Sequence, residues 1–577
     1  MKYTFDRFTA EVQTLLSTTK RIPASLLEVQ VPKPGIPADL AFPTFRAAKE
    51  LGLSPQQLAQ ELVQTIQIAP NSLIGEVSAT GPFLNFSFQA ENLAEAILND
   101  ISLTGVKYGH SDDGQGKTIV VDYSSPNVAK RMHVGHIRST IIGQTLANIF
   151  RALGYNVICD NHLGDWGKQF GVIIAAVMRD GKPQVEGEAA LIQLEELYTR
   201  YSNQMPQDAA LDAEARRWSL ALEQGDPAAR ELWQWCVTTT IQANQQNYDR
   251  LTVSFDHAYG ESFYEAMLTG VIQQTIEQNI AYRDEKGAVV VEIDGLPSFL
   301  LQRSDGGTLY LTRDVATIIF RLQEFQPKRI LYVVGSPQEL HFRQLFALVR
   351  KMGYTAAVDL VHVAFGTISD TQGQPLSTRR GNMIYLEALL NEAMARALAV
   401  VEQKNPALAA EEKAAVAEAV GVGAVIYNDL YQDPKRNITL NWEQMLSTEG
   451  NSATYLQYSY ARCCSILRRA EIKPTEELDL AAIQPKLLIH PAEQQLLKKL
   501  ARLPSAIKEA SERYAPFVIA DWCYTTARDF GVFFEQCPVL KAETIPLRDA
   551  RLALVSATAQ ALKNGLTLLG IKAPEQM

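Results

Sequence analysis

The spacing of apolar positions changes several times along this chain, and each change predicts a new kind of element. Helical spacing runs from Phe8 to Leu16, a stretch containing Pro and Gly follows from Ile22 to Pro43, and Gly81-Pro-Phe-Leu-Asn-Phe-Ser-Phe88 alternates like a strand. Thr118-Ile-Val-Val-Asp-Tyr123 is β-branched and mostly apolar, the pattern of a parallel strand buried on both faces. From Ile137 onward, Ile141, Ile142, Leu146, Ile149, Phe150 and Leu153 mark one face of a helix that Gly154 ends; Tyr155 to Cys159 reads as the next strand. Strand and helix alternate to Gly366, with later strands at Ile330–Gly335 and Leu360–Gly366 and a helix-rich insertion over 178–280. From Glu387 nearly everything is helical. The pattern predicts an α/β doubly wound parallel sheet with a helical insertion, an α+β module before it and an all-α module after it. The expected limits are 1–105, 106–390, a helical connection over 391–450, and 451–577. In such a sheet the ligand lies beyond the carboxyl ends of the strands.

Composition narrows the class. The 577 residues suit three or four domains at ~150 residues each. Hydrophobic residues at 47% and charged residues at 20% are ordinary for a globular chain with sizeable cores. No apolar run approaches the ~20 residues of a membrane span, and Asp6 and Glu11 do not suit a secretory or transit peptide. The six cysteines (159, 236, 463, 464, 523, 537) form no CxxC pair, so a reducing cytoplasm is expected. A net charge of −10 argues against binding nucleic acid through bulk charge. Local basic clusters such as Arg462, Arg468 and Arg469 can still hold phosphates.

The segment with most chemistry is Ser124-Ser-Pro-Asn-Val-Ala-Lys-Arg-Met-His-Val-Gly-His136, between the first sheet strand and the long helix. Helix N-termini collect anions, because unpaired N–H groups and the helix dipole meet there. Two imidazoles flanking Gly135, which permits close approach, suit polyphosphate chemistry. Histidines three apart can instead share a metal ion; among eight histidines no third ligand follows at a diagnostic spacing, although His162 and Asp165 are possible.

His133-Val-Gly-His136 resembles the His-Ile-Gly-His element of class I aminoacyl-tRNA synthetases, and Ser124 to Ile142 resembles the arginyl-tRNA synthetases in particular. Gly164-Asp-Trp-Gly-Lys-Gln-Phe-Gly171, Pro375-Leu-Ser-Thr-Arg-Arg-Gly381, Tyr455-Leu-Gln-Tyr-Ser-Tyr-Ala-Arg462 and Gly565 to Met577 are similar to further elements of that family, in the family's order. The resemblance implies a Rossmann-type catalytic domain, an appended N-terminal domain that touches tRNA, and a helical anticodon-binding domain. It implies an ATP-dependent ligase that makes arginyl-adenylate and transfers arginine to the 3′-terminal adenosine of tRNA(Arg), releasing AMP and pyrophosphate. Mg2+ would come as the counter-ion of ATP, with no protein-bound structural metal, and the chain would be a monomer. It also implies that the first step waits for tRNA.

The resemblance assigns ATP contacts to His133, Gly135, His136, Ser377 and Thr378. The family's signature loop has a lysine where this chain has Thr378; Lys130, Arg379 or Arg380 would replace it beside the catalytic His133 and His136. A guanidinium substrate needs carboxylates, because its planar fork of donors pairs with them bidentately. Asp122, at the end of the first sheet strand, and Asp314 are the candidates. Thr312 reads as an N-cap, which would make Asp314 an acid of a first helical turn, favourable to the helix dipole on its own. The resemblance pairs Asp314 with Tyr310 for arginine, places Asn127 at the substrate's α-amino or carboxylate end, and sets Gln338 near the substrate, with His341 a weaker candidate. Ser336-Pro-Gln-Glu339 reads as a capping box with Pro at the first helical position.

For RNA, Tyr455 and Tyr458 with Arg462 offer stacking surfaces and a cation, and Tyr460 belongs to the same run; aromatics at helical spacing also fill cores. Trp233 and Trp235 read as helix packing. Rival readings ask for different residues. A glutamyl enzyme would want basic groups where Asp122 and Asp314 stand, and a cysteinyl enzyme a zinc site. An inert tRNA-binding relative has no chemical need for both His133 and His136, and a metal-dependent hydrolase would use them to hold an ion.

Overall fold

A computed structural model describes residues 2–19, 21–33, 35–354, 357–369, 372, 384–472 and 482–577. The N-terminal module combines α1 (Thr4–Thr18), α2 (Phe45–Leu51), α3 (Pro55–Thr65) and α4 (Ala90–Thr104) with β1 (Leu40–Pro43), β2 (Ile74–Thr80) and β3 (Phe83–Phe88). The three strands are antiparallel in the order β1-β3-β2. The strand expected from Gly81 begins two residues later, because Gly81 takes φ +57° in the turn joining β2 to β3. The alternation beyond it is real: Leu84, Phe86 and Phe88 are buried, and Phe88 stacks on Phe8 of α1 with ring centroids 3.9 Å apart.

The central sheet consists of β4 (Thr118–Asp122), β5 (Asn156–Asp160), β9 (Arg329–Gly335) and β10 (Asp359–Phe365), all parallel, in the order β10-β9-β4-β5. Successive residues of each strand point to opposite faces, and both faces are covered. Ile119, Val121, Cys159, Leu331 and Val333 join the core that includes α5 (Val134–Ala152), while Val120, Ile330 and Tyr332 join the core of α11 (Tyr310–Phe325) and α12 (Glu339–Lys351). That double burial explains why these strands read as continuous apolar runs.

Between β5 and β9 lie α6 (Lys168–Asp180), α7 (Gly187–Gln204), α8 (Ala209–Glu223) and α9 (Pro227–Leu251), packed around Phe170, Ile173, Leu194 and Leu211. Then come α10 (Glu265–Glu277) and a small antiparallel sheet of β6 (Ala281–Arg283), β7 (Val289–Val291) and β8 (Phe299–Gln302). Trp233 and Trp235 pack in the insertion core as expected, and the Trp233 indole N–H also donates to Asp165 O at 2.7 Å. Beyond the sheet, β11 (Ile368–Ser369) pairs with β12 (Ile438–Thr439), on either side of α13 (Leu386–Lys404) and α14 (Ala410–Leu430). After α15 (Trp442–Met445), the C-terminal bundle is α16 (Ala453–Arg469), α17 (Pro491–Leu500), α18 (Leu503–Arg513), α19 (Phe517–Gln536) and α20 (Ile545–Leu568). The N-terminal module docks on this bundle: Arg502 lies over the Phe5 ring at 3.7 Å, Lys498 pairs with Asp39 at 2.8 Å, and the Tyr108 hydroxyl donates to Leu500 O. Among the described residues no helix is long and apolar enough to cross a membrane.

One buried ion pair ties the catalytic helix to the helical half. Arg138 on α5 is 1% exposed; its Nε donates to Asp429 of α14 at 3.0 Å, and its remaining nitrogens donate to Arg436 O and Pro434 O. Burial pushes the Asp429 carboxyl up, and the Arg138 guanidinium opposes that shift. Asp429→Ala would leave a dry, uncompensated guanidinium and is expected to cost about 3–5 kcal/mol in urea unfolding. A loss below ~1 kcal/mol would mean that the two backbone carbonyls hold Arg138 by themselves.

Candidate active site

The chain from Ser124 to Met132 is neither helix nor strand, and its backbone is anchored by many distant elements. Ser124 N–H donates to Ser139 Oγ of α5, Ser125 N–H to Asn161 Oδ1, Val128 N–H to Gly164 O, Ala129 N–H to Thr240 Oγ1 of α9, and Arg131 N–H to Glu195 Oε1 of α7. Ser124, Ser125 and Ala129 have φ of +71°, +48° and +60°, a left-handed conformation that costs non-glycine residues roughly 1–3 kcal/mol each. Such a loop persists only when its surroundings over-determine it, as these do. It delivers the chain to the first turn of α5, at the carboxyl end of β4.

His133 is the N-cap of α5. Its Nδ1 accepts from Gly135 N–H at 3.0 Å, the His136 Nδ1 accepts from His133 N–H at 3.2 Å, and the two rings stack 4.0 Å apart. A nitrogen that accepts an N–H bond carries no proton, so each neutral ring must bear its proton on Nε2. The pair therefore presents two donors at a helix entrance. A Cβ at position 135 would stand 2.8 Å from the His133 ring, so the glycine there makes room for the histidine itself. Burial lowers both pKa values; His136 falls to about 3, with neighbouring His133 adding to the effect. Lys130 sits just before, its Nζ 5.1 Å from the centre of the Tyr198 ring on α7.

Asp122 does not face the crevice as expected. It is 4% exposed and accepts from Arg321 Nη2 at 2.7 Å, and the same nitrogen bonds Asp160 at 2.7 Å. The parallel register sets Asp122 beside both Asp160 and Tyr332, so the two acids lie side by side on the α11 face of the sheet. Burial alone would lower the Arg321 pKa, but the two carboxylates hold it well above the ordinary value. Asp122 thus serves an internal guanidinium, and its expected role toward substrate is corrected.

Asp314 is differently placed. Helix α11 begins at Tyr310 with Leu309 as N-cap, so Thr312 is not a cap; it is buried within the first turn and its hydroxyl donates to Leu301 O. Asp314 lies one turn after the exposed Tyr310, on the same side of the helix. Its Oδ2 is 2.6 Å from His341 Nε2 on α12, with both side chains 26% exposed. The capping box expected at Ser336 is absent: Ser336–Gln338 forms a single 3-10 turn with no side-chain cap, leaving Gln338 exposed where α12 starts. Sequence reasoning missed Glu261, in the 3-10 turn Glu261–Tyr264 before α10. Burial raises its pKa to about 7; the Arg313 charge opposes this, while Asp314 and Asp165 reinforce it. No periodicity marks that irregular turn. Asn127 is exposed at the rim of the histidine loop, bridged to Gly164. Ser377, Thr378, Arg379 and Arg380 lie outside the described residues. Among those described, no group of three or more His, Cys, Asp or Glu is placed to hold a metal ion.

On α16, Tyr460 is core and Tyr455 is half-buried against Tyr524. Tyr458 is exposed, its hydroxyl accepting from Arg462 at 3.0 Å, and the Arg462 guanidinium lies 5.1 Å from the Phe534 ring centre. These residues line a groove of about 700 Å³ with Arg468, Arg469 and Lys541.

The histidine geometry has a pH signature. An unfolded chain protonates residue 136 near pH 6.5, whereas the folded one does so only near pH 3. Acidification through that window therefore favours the unfolded state, which binds more protons. In 15N-histidine spectra the His136 ring is expected to stay in the neutral Nε2–H form between about pH 5 and 8. A titration centred near 6.5 would show that the ring is not held as described.

Comparison with known proteins agrees with this architecture. The family model described as tRNA synthetases class I (R), catalytic domain, matches residues 97–442; the arginyl tRNA synthetase N terminal domain matches 6–88 and the DALR anticodon binding domain 456–577. The arginine–tRNA ligase of Chloroflexus aggregans is 64% identical over 577 residues, covering 100% of both chains. That of Clostridioides difficile is 38% identical over 551 residues, 95% of each. Among solved structures, the arginyl-tRNA synthetase of Thermus thermophilus superposes with a TM-score of 0.81 at 25% identity, covering 99% of this chain and 100% of that one. The Plasmodium falciparum enzyme gives 0.81 at 23%, covering 99% of each. With one catalytic-domain match spanning more than half its length and full-length relatives at this identity, the chain belongs to the class I arginyl-tRNA synthetase family.

Proposed function

We propose that this chain makes arginyl-adenylate from L-arginine and ATP at the crevice beyond β4 and β9, then transfers arginine to the 3′-terminal adenosine of tRNA(Arg). The observation that carries this reading is the pair of donor imidazoles held at a helix entrance at the carboxyl end of β4, in a fold where α11 also carries near its start a partly exposed carboxylate, Asp314. In the first step a carboxylate oxygen of arginine attacks the α-phosphorus and pyrophosphate leaves. The Nε2–H groups of His133 and His136 donate to phosphate oxygens as charge moves onto them, a preorganised electrostatic role. Lys130 is the described cation on the pyrophosphate side; Arg379 and Arg380 are the other candidates for that contact, with Ser377 and Thr378 toward ATP. Mg2+ arriving with ATP screens the phosphate charge.

For arginine, Asp314 and Glu261 are the two carboxylates that a guanidinium would meet, since an added cation would offset the burial that chiefly raises Glu261 and the smaller repulsion from Asp314. Tyr310 and Gln338 flank that position, and Asn127 suits the α-amino end. On the RNA side, the Tyr458–Arg462–Phe534 group with Arg468 and Arg469 supports contact with splayed bases and phosphates, Tyr455 acting from behind. The reading includes a cytoplasmic monomer divided at residues 105, 390 and 450. Six buried, unpaired cysteines support the reducing compartment.

Pyrophosphate exchange into ATP tests the reading. Exchange is expected with arginine once tRNA(Arg) is present and not with arginine alone. Exchange driven by glutamate or cysteine, or ATP hydrolysis without any amino acid, would overturn it. Asp314→Asn is expected to raise the arginine KM by roughly 10-fold or more while the ATP KM moves little, because one charge-assisted pair is lost. Equal rises in both constants would reduce Asp314 to a holder of His341.

A further inference from the structure

Arg131 has no part in the chemistry above, yet its side chain is held from two sides within the histidine loop. Its backbone N–H donates to Glu195 Oε1 at 2.7 Å and its own Nε donates to Oε2 of the same carboxylate at 2.8 Å. The guanidinium carbon lies over the Tyr385 ring, 3.5 Å from its centre. The Arg131 and Glu195 side chains are only 20% and 18% exposed, so this is not a screened surface pair. Three residues along α7, on the same helix face, Tyr198 supplies the ring against which Lys130 rests. One helix thus addresses consecutive loop residues, with a carboxylate for Arg131 and an aromatic face for Lys130.

We infer that Arg131 is a positioning residue for the pyrophosphate-forming step, holding the peptide that carries Lys130 through its paired bonds to Glu195 and its stack on Tyr385. The inference rests on the proposed function, because Lys130 matters only where a phosphate must be met. The geometry asks for arginine and not lysine: an ammonium has no flat face for Tyr385 and no Nε–H beside the backbone N–H. The fold does not depend on the joint. Val134 N–H still donates to Ile384 O and Leu386 N–H to Met132 O, each at 3.0 Å, so residues 132–134 stay strapped to 384–386 without it. What loosens is the 130–131 peptide, upstream of the helix cap.

The test is the rate constant of arginine- and tRNA-dependent adenylate formation in Arg131→Ala, Arg131→Lys, Glu195→Gln, Lys130→Ala and the Lys130→Ala/Arg131→Ala pair. Each of the first three is expected to fall ~10-fold, the scale of a sub-ångström misplacement, with arginine KM and tRNA affinity unchanged and a modest loss of melting temperature from breaking a mostly buried pair. Because Arg131 acts through Lys130, its removal from the Lys130→Ala background is expected to add no further loss. Wild-type rates in the single variants, recovery by Arg131→Lys, or a multiplicative loss in the double variant would each overturn the inference. An inactive wild-type enzyme, assayed first with arginine, ATP and tRNA(Arg), would instead sink the function on which it rests.

Discussion

Asp122 and Asp160 stand side by side because β4 and β5 pair in parallel register, and neighbouring strands are only ~4.8 Å apart. Two dry carboxylates at that separation cannot both stay ionised without a cation. Arg321, wholly buried, supplies it with one nitrogen shared between them. Such an arrangement adds little net stability over a well-packed apolar core, but removing one member leaves an unpaired buried charge. Its effect is placement. It locks α11 to the sheet at one rotation and one height. Asp314, seven residues before Arg321, then lies ~10 Å nearer the carboxyl ends of the strands, where a ligand of this sheet must sit. A strand register thereby fixes the position of Asp314, the carboxylate proposed to meet arginine.

The histidine loop is fixed by another route. Where α11 is held by charge, the loop is held by backbone bonds to side chains far away in sequence: Thr240 lies 111 residues from Ala129, and Glu195 lies 64 from Arg131. Three left-handed non-glycine residues are affordable only once those partners are in place. The loop's conformation therefore depends on the insertion being packed on the sheet. The imidazole pair sits at the end of that sequence of dependencies, and its tautomer follows from local caps that need nothing but the helix itself.

How much was legible in the sequence follows the range of the forces involved. The strands at 118, 156, 329 and 359 and the helix after His136 were readable because double burial and helix period are local signals. Residues 133 and 136 were readable for the same reason, being part of a helix start. Asp122 was misread because its partner is chosen by strand register and by α11, neither of which a single stretch of chain reveals. Thr312 and Ser336 resemble caps in composition, but α11 begins two residues earlier and a 3-10 turn replaces the second cap. Glu261 carries no pattern: it lies in a short turn at the edge of the insertion, and only the folded chain brings its charge under the influence of Asp314.

The contrast between the two acid groups bears on selectivity. Asp122 and Asp160 are saturated by a guanidinium that the fold owns, in a place without solvent. Asp314 has a different partner, a partly exposed imidazole that can yield, and Glu261 has the partial relief of Arg313. A mobile guanidinium arriving from water would therefore find one carboxylate group closed and the other open. In the proposed site, discrimination against lysine would follow from the same geometry. A point-charge ammonium can satisfy one carboxylate, whereas a planar fork can meet two from different elements at once, one on α11 and one before α10. Arg321 between Asp122 and Asp160 shows that two acids can share one guanidinium within this fold, and the strand ends hold that internal arrangement beside the place where the substrate's copy of it would form.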